Sequence, residues 1–142
     1  MAVALDGRIG MYRLDTGVVS ELRRPRPRGA VLAWIAATDE RMLAISAITI
    51  GEIQQGIEAA QKQDIARARM IEVWLGQLMQ SMSVLPLDGQ CMIQWAKLMH
   101  RRPSHLVAEA MIAATATVHG LIIVTRNGQG FRAFPGESAQ SL

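Results

Sequence analysis

Cysteine, aromatic side chains and long apolar runs are all scarce in this sequence. The single cysteine, Cys91, excludes an internal disulfide and is typical of a reducing compartment. No apolar run reaches the roughly 18 residues of a membrane-spanning helix, and the opening MAVALDGRIG lacks the basic start of a secretory signal. We therefore expect a cytoplasmic protein that does not associate with membranes. Aromatic residues make up 4% of the chain, too few to predict a stacking platform for single-stranded nucleic acid.

The sequence also lacks the patterns of two common kinds of enzyme site. Its three histidines have no spacing typical of zinc ligation. Neither Ser20 nor Ser46 has a paired histidine in a recognisable arrangement, which argues against a hydrolase with a serine nucleophile.

An excess of basic residues gives the chain a formal charge of +3 and an isoelectric point of about 9.8. Arginines crowd positions 23–28, and two more stand at 101–102. This balance suits an anionic partner such as nucleic acid or an acidic protein segment. Because many cytosolic domains are mildly basic, charge alone does not decide whether the protein binds an anionic partner.

Short strands alternate with longer helices along the chain. The patterns predict strands at 11–14, 42–46, 83–87 and 121–125, with helices at 16–24, 30–38, 48–60, 64–82 and 105–118. Asp88 is predicted to cap one more helix, which contains Met92, Trp95, Ala96 and Met99. Thr16 is predicted to cap the first helix, and the second helix, AVLAWIAAT, is apolar all round and therefore predicted to be buried. The alternation favours one α/β domain with a parallel sheet and right-handed crossovers. A short edge strand near Phe131 is a further expectation.

Four polar residues are placed to meet beyond the carboxyl ends of these strands, where α/β proteins tend to carry their sites. Asp15 follows the first strand, Glu52 lies one turn into the helix after the second, Glu109 interrupts an apolar helix, and Asn127 follows the last strand. Three carboxylates would repel one another unless a cation neutralised them. Oxygen ligands select Mg²⁺ or Mn²⁺ over zinc.

Each acid also has an ordinary structural explanation. Asp15 stands between a strand and a helix, where acids commonly cap. Thr49-x-x-Glu52 matches a capping box. Glu109 could occupy a solvated helix face, although its neighbours are apolar and a charge buried among them would need a partner. Taken one at a time, these residues leave both interpretations open.

Three blocks of sequence resemble VapC-like PIN domains. They are MYRLDTGVVSELRRPRP, LAISAITIGEIQQGI and EAMIAATATVHGLIIVTRN, and the resemblance runs from about Met11 to Phe131. It implies a three-layer α/β/α fold with a central parallel sheet of four to five strands. We therefore expect residues 11–135 to form the PIN-like domain, residues 1–10 to be a disordered extension, and residues 136–142 to be a C-terminal tail.

The resemblance also implies a function. VapC-like proteins are toxins of type II toxin–antitoxin modules and Mg²⁺-dependent endoribonucleases that cleave structured RNA such as tRNA or rRNA. The implied partners are a small cognate antitoxin, operator DNA reached only through the antitoxin complex, and a second copy of the chain in a homodimer. The implied metal ligands are Asp15, Glu52 and Glu109, and Asn127 completes the catalytic set.

This sequence departs from the family pattern at four positions. Gly17 replaces an asparagine, Glu109 stands where aspartate is usual, and Asn127 and Gly130 supply no carboxylate. A catalytically weakened PIN-like protein that binds antitoxin and acts through that complex is therefore the alternative function. A phosphoacceptor receiver domain also places acids at strand ends, but it needs an adjacent acidic pair there and a late lysine after a strand, and this chain has neither at those places.

Overall fold

The computed structural model describes residues 12–24, 26, 29–125 and 139–141. In chain order the strands are β1 (Tyr12–Leu14), β2 (Leu43–Ser46), β3 (Ser83–Leu85), β4 (Ile122–Thr125) and β5 (Ala139–Ser141). The helices are α1 (Thr16–Arg23), α2 (Gly29–Ala36), α3 (Ala47–Gln61), α4 (Ile65–Ser81), α5 (Gly89–Met99) and α6 (Val107–His119). Short 3-10 turns at Glu40–Met42 and Ser104–Leu106 precede β2 and α6.

The five strands form one parallel sheet in the order β3-β2-β1-β4-β5. In its central strand, β1, Tyr12 stands beside Leu43 of β2 and Ile122 of β4. β3 lies at one edge, and Pro86 directly after it fits that place, because proline is tolerated at sheet edges and strand ends. The parallel α/β sheet is confirmed.

Side chains of the central strands alternate between two cores, which makes the fold three-layered. Tyr12 and Leu14 enter a core that also contains residues of α1, α2, α3 and α4. Ala44 and Ile123 enter a second core, built mainly from α6 and lined by α5. Helices therefore cover both faces of the sheet, as the resemblance implied.

Several helix boundaries lie where their local sequence predicts. The Asp64 side chain caps α4 by accepting from Arg67 N, and Asp88 caps α5 by accepting from Cys91 N. Gly120 ends α6 in the left-handed conformation, with φ 65°, which glycine adopts at little cost.

Two local expectations were wrong. The cap of α1 is Asp15, not Thr16, because the Asp15 carboxylate accepts from the backbone N–H of Thr16. The helix AVLAWIAAT was expected to be buried, but among its residues only Val31 is fully buried and Leu32 is 46% exposed. α2 lies on the outside of the first core, so one side of it has no neighbouring element within the described residues.

β5 lies within residues 136–142, which the sequence assigned to a tail; in the structure its three residues pair with β4. The predicted strand near Phe131 and the extension at residues 1–10 fall outside the described residues. In the part of the chain that the structure describes, no helix has the length and apolar character needed to span a bilayer.

Candidate functional site

Asp15 is fixed at the carboxyl edge of the sheet by both strands that meet there. Its backbone N–H donates to Val124 O at 2.9 Å, which extends the pairing of β1 with β4. Oδ1 accepts from Thr16 N at 2.8 Å, and Oδ2 accepts from Thr125 Oγ1 at 2.9 Å. The prediction that Asp15 stands at this edge is therefore correct, and its capping role coexists with a place in the site.

Glu52 reaches the same edge from the second turn of α3. Its Oε1 accepts from Thr16 Oγ1 at 2.9 Å. Thr16 Oγ1 also lies 2.9 Å from Thr49 Oγ1. Since the single hydroxyl proton of Thr16 goes to Glu52, Thr49 is the donor in that second contact. The capping-box interpretation is wrong, because Ser46 caps α3 through its bond from Ile48 N.

Glu109 approaches these two acids from the first turn of α6, where it is half-buried. Burial raises the pKa of Asp15 and of Glu52, and the negative charge of Glu109 raises both pKa values further. The charge of Asp15 also raises the pKa of Glu52. Residues from β1, α3 and α6 thus lie within electrostatic range of one another.

A buried arginine, which the sequence interpretation missed, lies beneath the acids. Arg13 is fully buried in β1, and its Nη1 donates to Ile112 O at 2.6 Å. Its Nε and Nη2 have no hydrogen-bond acceptor within the described residues. Burial lowers the pKa of Arg13 to about 10, against the opposing influence of Asp15, Cys91 and Glu52. Its positive charge in turn lowers the pKa of Asp15 and Glu52.

The chemistry of the three acids fits a hard divalent cation. All their donor atoms are oxygens, and their mutual repulsion would be relieved by a positive ion. Coordination, however, needs closer approach than Coulomb interaction does. Among the described residues, no three His, Cys, Asp or Glu side chains are grouped tightly enough to hold a metal ion. In this conformation the three acids therefore influence one another through charge, and sharing an ion would require their side chains to approach more closely.

The family departure at Gly17 lies directly beside Asp15. Gly17 lies in the first turn of α1, where a Cβ would stand 3.7 Å from Asp15 Oδ2. The asparagine usual at this place would thus lie next to the Asp15 carboxylate. The other predicted catalytic residue, Asn127, lies outside the described residues, as do Arg126 and Gly130.

A groove of about 340 Å³ opens beside Glu52, and nothing in the sequence pattern predicted it. It runs between α1, α3 and α4. Its polar lining includes Ser20, Arg23, Gln63 and Arg67 in addition to Glu52. A positively lined path therefore leads up to one of the acids. The crowding of arginines near position 23 was its only sequence signal.

Comparisons with known proteins agree with the fold and motifs. The PIN domain family matches residues 12–137. VapC ribonuclease Y4jK of Sinorhizobium fredii is 37% identical over 87% of this chain and 91% of its own, and toxin FitB of Neisseria gonorrhoeae is 30% identical over 85% and 91%. The crystal structure of FitAcB from Neisseria gonorrhoeae superposes with a TM-score of 0.79 at 29% identity, covering 91% of this chain and 96% of that one. The chain thus belongs to the PIN domain family, confirming the resemblance that its motifs predicted.

Proposed function

We propose that this protein is a Mg²⁺-dependent endoribonuclease and the toxin of a type II toxin–antitoxin module, with structured RNA such as tRNA or rRNA as substrate. The observation that carries the proposal is that Thr16 hydrogen-bonds to both Asp15 and Glu52 at the carboxyl edge of the sheet, with Glu109 near enough for its charge to raise the pKa of both. Similarity to a VapC ribonuclease and to a toxin supports the same reading. Mn²⁺ would support the same activity in place of Mg²⁺, because both ions take oxygen ligands.

In this proposal Asp15 and Glu109 bind the ion directly, and Glu52 binds it directly or through a water. The bound ion would supply a water of lowered pKa and offset charge on the scissile phosphate. Hydrogen bonds from Thr16 N and Thr125 hold the Asp15 carboxylate in place. Asn127 completes the catalytic set on sequence grounds alone.

Other residues hold Glu52 in place and adjust the charge of the site. The Thr16 hydroxyl fixes the direction of the Glu52 carboxylate. Arg13 supplies a buried positive charge that favours the ionised forms of Asp15 and Glu52. These residues therefore prepare the acids for a cation without touching the substrate.

The proposed partners follow from the same assignment. A small antitoxin would bind the toxin and inhibit it, a second copy would form a homodimer, and operator DNA would be contacted only through the antitoxin complex. The protein would act in the cytoplasm, where its RNA substrates are found. Growth arrest on induction, relieved by co-expressing the antitoxin, is the expected cellular result.

Purified protein mixed with total tRNA tests the activity. We expect cleavage when Mg²⁺ or Mn²⁺ is added, none in EDTA, and none by Asp15→Asn, a variant that keeps the helix cap. Glu58→Gln, on the exposed side of α3, is the matched control and should cleave like the unchanged protein. Equal cleavage by Asp15→Asn would remove Asp15 from the mechanism.

A catalytically weakened PIN-like protein that binds antitoxin is the second candidate. Two observations favour it: no three described side chains form a ready metal site, and Glu109 is one methylene longer than the usual aspartate. A misplacement of about 1 Å can lower a rate by roughly a hundredfold. Metal binding and antitoxin binding without RNA cleavage would support this candidate over the first.

A further inference from the structure

A pocket along α4 adjoins the groove that leads to Glu52. The pocket encloses about 450 Å³ and is lined by Arg23, Arg67, Met70, Ile71 and Trp74. Two of these residues, Arg23 and Arg67, also line the groove beside Glu52, as does Ile71. Pocket and groove therefore form one continuous path that begins at the acidic site.

The lining of the pocket combines an apolar wall with positive charge. Trp74 is half-buried and packs against the first core, which fixes its indole in place. Met70 is 74% exposed, so its apolar side chain is accessible at the pocket. Within the described part of the chain, no acidic residue lines the pocket and neither Arg23 nor Arg67 forms an ion pair.

We infer that this pocket holds an unpaired nucleobase of the RNA substrate, with the adjoining phosphates on Arg23 and Arg67. The inference rests on the proposed function. The volume of the pocket is within the range of pockets for small ligands. Unpaired bases are bound by stacking on aromatic rings and guanidinium planes, and arginine suits phosphate groups. The RNA strand would run from this pocket along the groove, and a neighbouring phosphate of the same strand would then reach the acids.

Charge and continuity favour RNA over a peptide as the occupant. A nucleic-acid strand carries one phosphate on every unit beside one flat apolar base, which matches two arginines beside one apolar wall. The path also ends at carboxylates that need a cation, where a phosphate would be the natural ligand of that cation. A peptide of the antitoxin is the competing occupant, and the effects of pocket variants on RNA binding and on antitoxin binding distinguish the two.

The test measures RNA binding without catalysis. The probe is a fluorescein-labelled single-stranded RNA octamer of mixed sequence, followed by anisotropy in EDTA. We expect Trp74→Leu to weaken binding roughly tenfold, because stacking contributes about 1–3 kcal/mol per base. Trp74→Phe should stay within about twofold of the unchanged protein. Arg67→Gln should weaken binding and reduce the salt slope by about 0.7, the value for one phosphate contact on a single strand.

Lys97→Gln is the matched control for charge. Lys97 is exposed on α5, which borders the second core on the opposite face of the sheet, so its loss should leave octamer binding unchanged. Arg67 is exposed, and Arg67→Gln therefore tests the pocket without disturbing the core. If Trp74→Leu does not fold, quenching of Trp74 fluorescence by the octamer, absent in Trp74→Phe, gives the same information.

The outcomes separate the pocket from the catalytic site. Octamer binding that depends on Trp74 and Arg67 supports the inference even if no RNA is cleaved in Mg²⁺. Cleavage in Mg²⁺ by a protein whose octamer binding is unaffected by Trp74→Leu and Arg67→Gln overturns the inference and leaves the proposed function standing. Variants that lose antitoxin binding but keep octamer binding would also overturn it, because the pocket would then belong to the antitoxin.

Discussion

The Thr16 hydroxyl donates a 2.9 Å hydrogen bond to Glu52 Oε1 and so joins the first turn of α1 to α3, across 36 positions of sequence. Thr16→Val removes this donor while nearly preserving shape. Since hydrogen bonds that orient metal ligands affect metal affinity by about 10- to 100-fold, we expect Mn²⁺ affinity to fall by about tenfold. Isothermal titration calorimetry measures the change. Thr16→Ser keeps the hydroxyl and should bind normally, and equal affinity in both variants would contradict this role for Thr16.

Asp15 should destabilise the metal-free fold at neutral pH. Burial raises its pKa in the folded chain, so the folded form keeps its proton to a higher pH than the unfolded chain does. The free energy of unfolding therefore falls as pH rises through the folded pKa. Asp15→Asn should be more stable than the unchanged protein at pH 7 in EDTA, and this difference should shrink near pH 4, close to the unfolded pKa of about 3.9.

Urea unfolding at the two pH values measures the Asp15 effect. Asp88→Asn is the control with the opposite sign, because hydrogen bonding at the α5 cap lowers the pKa of Asp88. The ionised form of Asp88 stabilises the fold, and that contribution is lost as pH falls through the folded pKa. A lower stability of Asp15→Asn at pH 7, or a difference that does not change with pH, would count against the account.

Arg13→Met should shift the pH dependence of metal binding. The charge of Arg13 lowers the pKa of Asp15 and Glu52, so its loss raises both. Protons then compete with the cation up to a higher pH, and the midpoint of Mn²⁺ affinity against pH moves upward. Arg13→Lys retains the positive charge and should keep the original midpoint. An unchanged midpoint in Arg13→Met would show that Arg13 has no electrostatic effect on the acids, and a downward shift would contradict the expected sign of that effect.

Gly17→Ala should stabilise the protein. Gly17 lies in α1, its φ is not in the left-handed region, and an added Cβ would make only an ordinary 3.7 Å contact with Asp15 Oδ2. Replacing a glycine by alanine without strain raises the free energy of unfolding by about 0.4–1 kcal/mol, mainly by restricting the unfolded chain. Urea unfolding measures the gain. Gly120→Ala, at φ 65°, should instead lower the stability of the protein. A loss of stability in Gly17→Ala as well would contradict the expectation that alanine fits this helical position without strain.

Local sequence patterns sufficed for most of the fold. The continuous apolar run LIIVT predicted a strand buried on both faces, and β4 is such a strand. Caps at Asp64 and Asp88 and the glycine after α6 also follow from their immediate neighbours. Periodicity did not reveal that α2 would be largely exposed, because an apolar pattern does not say which neighbours will cover a helix.

The site was predictable only in outline. Strand ends and family motifs located Asp15, Glu52 and Glu109, but the bonds that hold them join distant residues, such as Thr125 and Asp15 across 110 positions. Arg13 was overlooked because MYRL looks like an apolar strand; a charge in a strand buried on both faces was the available signal. The pocket beside Trp74 could not be predicted, because it depends on how α1 and α4 pack.

Direct metal-binding measurements on single acid-to-amide variants test the central claim that Asp15, Glu52 and Glu109 share one divalent ion. Mn²⁺ is titrated calorimetrically into the unchanged protein and into Asp15→Asn, Glu52→Gln, Glu109→Gln and the control Glu58→Gln. We expect one ion per chain, with affinity at least tenfold weaker in each of the three site variants and unaltered in the control. Undiminished affinity in Glu109→Gln, or no ion bound by the unchanged protein, would contradict this claim.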